Sequence, residues 1–471
     1  MRKVIQHGLL LYLVVFGNGL FADSDQLSKL LSEINSSQEH SINSGAVILL
    51  VDKNNVLVNV HIGKADWNDK YPLTKKNLFR VGSISKSFAA LLAMRLQEAD
   101  KLNIESPFKN YVKAPLINNI YTNTNITIEQ LMEHTAGLVG LTAAEWDYDE
   151  SDELKLEQSL LLKKGDHETH WQPGLHHSYT NAGYGLLGLA LEKATGKNYE
   201  ALMEEYVFAP LEMQSSTLLL NEKTKQRLIT GYDKDGQTKI PYWHNIYRPF
   251  AAMNTNAHDM IQFLQMLLND GKVGDNTFLT RESINRIETP KTSLSAVDRL
   301  SYGYALANYS WQQNGHILRG HGGDADGYLS RYGYNRESGL AYFVMVNAFN
   351  YKPIGKLRRI LENYIIKDLT RQNPQTITLS VKAMTEYIGD YVSVTRRFVG
   401  NKKKNRIKNL SVYEKNGKLY MKRSGEDAFR FYPVTKNHFR YSEEMVATFA
   451  FVKHKGVLYL QGDMGNYRKV N

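Results

Sequence analysis

The chain has 471 residues, no cysteine and a formal charge of +10 at neutral pH. The missing cysteine excludes disulfides, a thiol nucleophile, cysteine-ligated zinc and a lipid-modified N-terminal cysteine, so an apolar core must carry the stability. The charge is local: residues 379–471 hold nineteen Lys or Arg against eight Asp or Glu, and such a face either meets an anionic surface, an envelope polymer or lipid headgroups, or serves as a solvated surface that favours solubility.

Arg2 and Lys3, the apolar stretch Leu9–Phe16 and the small residue Ala22 predict an export signal over residues 1–22, cleaved after Ala22. The apolar stretch is short for a membrane span, so a periplasmic or secreted location is expected. Gly45–Val51 and Val56–Ile62 read as strands around a Lys53-Asn54-Asn55 turn. From Ser83 the period changes: Phe88, Leu91, Leu92, Leu96 and Ala99 recur at helical spacing. A mostly helical middle follows to about residue 270, broken by an acidic run, Glu145 to Glu157, expected on the solvated surface. Within it Asn256 caps a helix whose Met260, Phe263, Leu264 and Leu267 face inward. Strand patterns return at Leu318–Tyr334 and Leu340–Asn347, with a helix at Ile354–Asp368. The order predicts an α/β domain over residues 23–369, a sheet flanked by helices with an inserted helical subdomain. Residues 370–378 begin with "TRQNPQT", polar and proline-containing, and read as a linker. Residues 379–471 carry hairpin cues at Asn416-Gly417 and Lys455-Gly456 and predict a small basic all-β barrel.

The stretch "FRVGSISKSFAA" sets Ser83 and Lys86 one helical turn apart, behind a glycine and ahead of an apolar helix. A serine hydroxyl is a weak nucleophile until a base takes its proton. A helix N-terminus offers unpaired N–H groups, and a lysine one turn on projects from the same side. Spacing alone is weak, since Ser106 and Lys109 repeat it with a proline after the serine and no supporting context. The context of Ser83 is richer. "SYTNAGYGLLG" places Tyr179 and Asn181 ahead of a helix, "GHGGDADG" places His321, Gly322 and Gly323 beside a strand, and "LMEHTAGL" lies between.

In that order these motifs resemble the serine β-lactamase and penicillin-binding-protein superfamily in its class C branch, over roughly Gly45 to Phe349. The resemblance implies a β-lactamase-like antiparallel sheet flanked by helices, no cofactor and no metal. It implies a serine hydrolase in which Ser83 is acylated and Lys86 with Tyr179 moves the proton. An ammonium about 4 Å from a phenol oxygen, at an effective dielectric near 20, favours the phenolate by roughly 4 kcal/mol, so such a pair makes a base where a phenol alone does not. Asn181, His321, Gly322, Gly323 and Asp324 are the implied substrate-binding residues. Asn181 orients Lys86 or a substrate amide, and the backbone N–H groups of Ser83 and Asp324 meet the oxyanion. Gly322 and Gly323 allow close backbone approach by substrate.

The third motif departs from the usual form, with His321 in place of lysine and Gly322 in place of a hydroxyl residue. Two lost contacts to a substrate carboxylate cost on the order of 2–5 kcal/mol. The His-Gly-Gly form with a C-terminal β domain resembles the D-amino-acid peptidase and esterase relatives, with a lipocalin-like barrel that borders the site. A chain ending near Gln372 would then keep its serine site and accept bulkier substrates. The expected activity is cleavage of small peptide, amide or ester substrates, by D-amino-acid peptidase, carboxypeptidase or esterase chemistry. The alternatives are a β-lactamase and a non-catalytic peptidoglycan-binding protein on the same fold. "HETH", His167 to His170, lacks the four-residue spacing of a zinc-binding helix, His176-His177 reads as loop or surface, and no nucleic acid partner is implied.

Overall fold

The computed structural model describes residues 24–38, 45–66, 71–140, 155–162, 167–371, 375–395, 409–423, 425–441, 444–462 and 465–470. The export signal, most of the acidic run and part of the linker lie outside these residues. The layering follows from strand alternation in β1 (Ala46–Asp52). Val47, Leu49 and Val51 point into one apolar cluster, while Ala46, Ile48 and Leu50 point into another, because successive side chains leave opposite faces of a strand. A strand apolar on both faces needs cover on both.

The sheet that supplies this is antiparallel, in the order β3-β4-β5-β6-β1-β2. It consists of β2 (Val56–Ile62), β3 (Tyr309–Gln313), β4 (His316–Ala325), β5 (Tyr328–Asn335) and β6 (Leu340–Val346) beside β1. The 318–334 pattern is thus two strands, folded back at Gly327, whose φ of +85° suits glycine. On one face pack α1 (Ser24–Gln38) and α5 (Tyr351–Ile366), through Leu30, Ile34, Leu357 and Leu361. On the other lie α2 (Ser85–Glu98) and α4 (Ala257–Leu268), where the Phe88 and Phe263 rings pack at a tilt with centroids 4.6 Å apart. The Asn256 side chain accepts from the Asp259 N–H at 3.0 Å and starts α4. α3 (Ala182–Thr195) belongs to the helical region between α2 and α4.

The C-terminal region is a second antiparallel sheet of nine strands: β7 (Gly389–Ser393), β8 (Leu410–Lys415), β9 (Lys418–Arg423), β10 (Phe429–Arg430), β11 (Tyr432–Pro433), β12 (His438–Arg440), β13 (Phe449–His454), β14 (Val457–Gly462) and β15 (Gly465–Val470). Its two outermost strands, β10 and β11, are consecutive in the chain and separated by Phe431 alone, so the sheet curls into a nearly closed barrel. Both glycine turns foreseen in the sequence close hairpins, Gly417 with φ +69° and Gly456 with φ +80°. Tyr387, Tyr391, Phe431, Phe439 and Phe451 fill the interior.

Candidate active site

Ser83 sits in a single 3₁₀ turn, Gly82–Ile84, that runs directly into α2. Gly82 has φ +53°, and a side chain there would stand 2.8 Å from the backbone nitrogen of Asp324. The turn that carries the hydroxyl therefore lies against the strand end that carries the Asp324 N–H. Two serines hold the turn in place. Ser85 Oγ donates to the Gly82 carbonyl at 2.7 Å and accepts from the Met253 N–H at 3.1 Å, and Ser330 Oγ donates to the Val81 carbonyl at 2.9 Å.

Lys86 is fully buried. Its ammonium donates to Ser83 Oγ at 3.1 Å, Asn181 Oδ1 at 2.8 Å and the Phe250 carbonyl at 3.0 Å. Aromatic faces surround it, with the Tyr179 ring centroid at 4.9 Å and that of Phe250 at 5.0 Å. The three nominated side chains, Ser83, Lys86 and Tyr179, are thus brought together from segments about a hundred residues apart. Asn181 contributes its oxygen to Lys86, while its amide nitrogen is buried without a hydrogen-bond partner among the described residues. Ser106 and Lys109 make no such site, for Lys109 is exposed on a surface turn.

The third motif is tied into the protein's own hydrogen bonds. His321 is buried, and both ring nitrogens are engaged. Nδ1 lies 2.5 Å from the Gly322 carbonyl, which can only accept, so Nδ1 carries the proton. Nε2 is left to accept from the Tyr304 hydroxyl at 2.8 Å. Burial, and then the Lys86 charge, lower the His321 pKa to about 3, which keeps the ring neutral at physiological pH.

The same reasoning extends to His134. Its Nδ1 accepts the Thr180 N–H at 3.2 Å, so its Nε2 carries the proton and donates to Tyr304 oxygen at 3.2 Å. Burial, and then the neighbouring Tyr184 and Tyr179, raise the Tyr304 pKa well above that of a free phenol, so it stays protonated and donates onward. The result is one directional chain, from the Thr180 N–H through His134, Tyr304 and His321 to the Gly322 carbonyl. It joins the second motif to the third. His134 has φ +57°, a left-handed conformation costly for a non-glycine residue, held by its carbonyl accepting the Ser178 N–H at 2.7 Å. Its ring packs on Tyr179 at 4.2 Å.

The glycines of the third motif also meet a packing requirement. A side chain at Gly323 would stand 1.7 Å from the Val81 carbonyl, and one at Gly322 would meet the Arg331 guanidinium at 3.0–3.1 Å. At both positions the absent side chain leaves room for the protein's own atoms, the Val81 carbonyl and the Arg331 side chain. Arg331 in turn donates to Asp324 Oδ1 at 2.7 Å, and Tyr351 donates to Asp324 Oδ2 at 2.8 Å. His176 lies in a loop, as read from the sequence, but is buried there, and His167 lies in the core, its Nε2 3.3 Å from the Tyr247 hydroxyl.

Two members of this hydrogen-bond chain, Tyr304 and the His134 of "LMEHTAGL", receive no role from the sequence motifs. Tyr304 is one of 29 tyrosines, and nothing in "SYGYALANYSW" marks it chemically. His134 carried a signal, a histidine inside a motif that flanks the site.

A family model described as "Beta-lactamase" matches residues 34–364. Protein flp of Staphylococcus aureus strain MW2 is 28% identical over 245 residues, 50% of this chain and 49% of that protein. The chain thus aligns with about half the length of such a curated relative. Among solved structures, the octameric penicillin-binding protein homologue from Pyrococcus abyssi superposes with a TM-score of 0.60 at 20% identity, covering 95% of this chain and 100% of that one. EstCE1, a hydrolase with promiscuous acyltransferase activity, gives 0.59 at 18% identity, covering 72% and 100%. The β-lactamase/D-alanine carboxypeptidase from Yersinia pestis gives 0.60 at 17% identity, covering 73% and 100%. At these identities the structural likeness speaks for the fold.

Proposed function

The chain belongs to the β-lactamase family, whose superfamily comprises serine hydrolases, and from that premise we propose that it is an exported hydrolase that cleaves small peptide, amide or ester substrates through an acyl-enzyme on Ser83. The observation that carries the reading is the placement of the Lys86 ammonium, 3.1 Å from Ser83 Oγ and against the Tyr179 ring.

In the proposed reaction Ser83 Oγ attacks the substrate carbonyl carbon while its proton passes to the Lys86–Tyr179 pair. The negative charge on the carbonyl oxygen is met by the N–H groups of Ser83 and Asp324, a reading supported by the close packing of the Gly82 turn on the Asp324 backbone. Asn181 has its oxygen on Lys86 and its amide N–H free to meet a substrate carbonyl. The pair then returns the proton to the leaving group. Water attacks the acyl carbon by the reverse sequence, the same base taking its proton, and the acid product and the Ser83 hydroxyl are released.

Carboxylate recognition at the third motif favours this reading over a β-lactamase. His321 is neutral and spends both nitrogens within the protein, and Arg331, the nearby cation, is paired with Asp324. A substrate carboxylate would find a neutral ring at His321 and Arg331 already paired, so neutral amides and esters are the better fit. Export rests on residues 1–22. Docking of the basic barrel to an anionic envelope surface rests on its charge.

The test is direct. The protein is incubated with a fluorophosphonate and separately with a fluorescent penicillin, and any adduct is located by mass spectrometry. Labelling of Ser83 by the fluorophosphonate, with weak labelling by the penicillin, is expected. No adduct with either reagent on folded protein would favour a binding protein on the same fold, and efficient penicillin turnover would favour the β-lactamase.

A further inference from the structure

The segment that delivers Tyr179 is gripped from the far end of the chain. Gln461, on β14 of the barrel, is 1% exposed. Its amide nitrogen donates to the Leu175 carbonyl at 2.8 Å and to His176 Nδ1 at 3.0 Å, and its oxygen accepts the Ser295 N–H at 3.0 Å. Asn466, on β15 and 6% exposed, donates to the His177 carbonyl at 3.0 Å. The His176 ring lies on that of Tyr459 at 5.3 Å. Burial holds His176 neutral, its pKa lowered to about 4, so its Nδ1 is an acceptor suited to the Gln461 amide.

On its other side the same segment rests on the 134–137 stretch. Gly174 N–H donates to the Thr135 carbonyl at 2.8 Å and Ser178 N–H to the His134 carbonyl at 2.7 Å. Residues 174–178 are therefore held between the barrel and the strained His134 turn, directly ahead of Tyr179. Buried side-chain amides satisfied at both ends fix geometry, since any displacement leaves donors and acceptors unpaired.

We propose that Gln461 and Asn466 are positioning residues for the hydrolytic site: the barrel's last hairpin clamps residues 175–177 and so sets where Tyr179 stands relative to Lys86 and Ser83. This rests on the reading of Tyr179 as part of the base. It reverses the expectation drawn from resemblance for a chain ending near Gln372, which on this account loses reactivity at Ser83 instead of only widening its substrate range.

The full-length variants Gln461→Leu and Asn466→Ala provide the test, the second being the milder should the first fold poorly. Hydrogen exchange followed by mass spectrometry is expected to show the amides of 175–180 exchanging about tenfold faster in Gln461→Leu, with those of α3 little changed. Active sites are counted with a fluorophosphonate, and kcat per titrated site is expected to fall about tenfold with KM within about twofold. A general loss of stability would instead reduce the number of titratable sites and leave kcat per site unchanged. Unchanged exchange over 175–180, or unchanged kcat per site, overturns the clamp. If the unsubstituted protein takes no label at Ser83, the hydrolase reading fails, and the exchange measurement alone decides whether the clamp exists.

Discussion

Replacing Tyr304 by phenylalanine removes one oxygen and leaves the ring, so the packing against His134, Tyr179 and His321 is retained. What is lost is the middle of the chain between the motifs. His321 Nε2 loses a donor at 2.8 Å, and the His134 Nε2–H loses an acceptor at 3.2 Å. Both rings are almost wholly buried, at 3% and 1% exposure. A buried group left unpaired costs about 1–3 kcal/mol, so the two together set a range of about 2–6 kcal/mol, with the lower half expected once the rings relax. Urea unfolding at neutral pH, analysed at constant m-value, should show a loss of about 2–4 kcal/mol. The loss should be smaller by about 1 kcal/mol or more when Tyr304→Phe is made in a His321→Phe background, because one of the two orphaned groups is then already gone. A cost below about 0.5 kcal/mol, the scatter of neutral surface changes, or strict additivity in the double variant would refute the directional chain.

Lys86→Met keeps the volume of the buried side chain and removes its charge. Fluorophosphonate labelling of Ser83 is expected to slow by about 10³-fold, while the urea midpoint stays level or rises because a buried cation with neutral partners is removed; labelling at an unchanged rate would dismiss Lys86 from the mechanism. Gly323→Ala would set a methyl group 1.7 Å from the Val81 carbonyl, so the turn bearing Ser83 must shift. At least a hundredfold fall in kcat is expected, on the order of losing one oxyanion donor, with the circular dichroism of the fold kept, and near-normal turnover would mean the turn tolerates displacement. Stability should fall in acid. His61 and His176 have folded-state pKa values lowered to about 4 and His321 to about 3, each chiefly by burial. The unfolded chain takes up those protons near 6.5 while the folded one does not. Their contribution is therefore complete above about pH 6.5 and is lost as pH falls towards 3–4, by up to about 1.4 kcal/mol per pH unit for each. Equal urea midpoints at pH 7.5 and 5 would contradict this.

Features that depend on neighbours a few positions away are legible in the residues alone. Ser83 and Lys86 meet because a helix brings residues three apart onto one side, and the apolar positions behind them specify that helix. The hairpins at Asn54, Asn416-Gly417 and Lys455-Gly456 follow from turn residues and alternation within a few positions, and an all-β C-terminal region follows from the hairpins. Other features depend on long-range packing. Lys86 reaches Asn181 and the Phe250 carbonyl across 95 and 164 residues, distances over which composition and period say nothing. The state of His321 is a sharper case. In the sequence a histidine in place of lysine is an ambiguous donor, neutral or charged. Its proton is located only by the Gly322 carbonyl on one nitrogen and Tyr304 on the other, and its neutrality by burial beside Lys86. The glycines around it show the same division, since a need for close approach can be read from the residue type, whereas what approaches depends on which distant strand or turn packs there. Gln461 lies 285 residues from His176 and carries no catalytic signature. Its position at the edge of the site exists only because the barrel folds back onto the segment that leads to Tyr179.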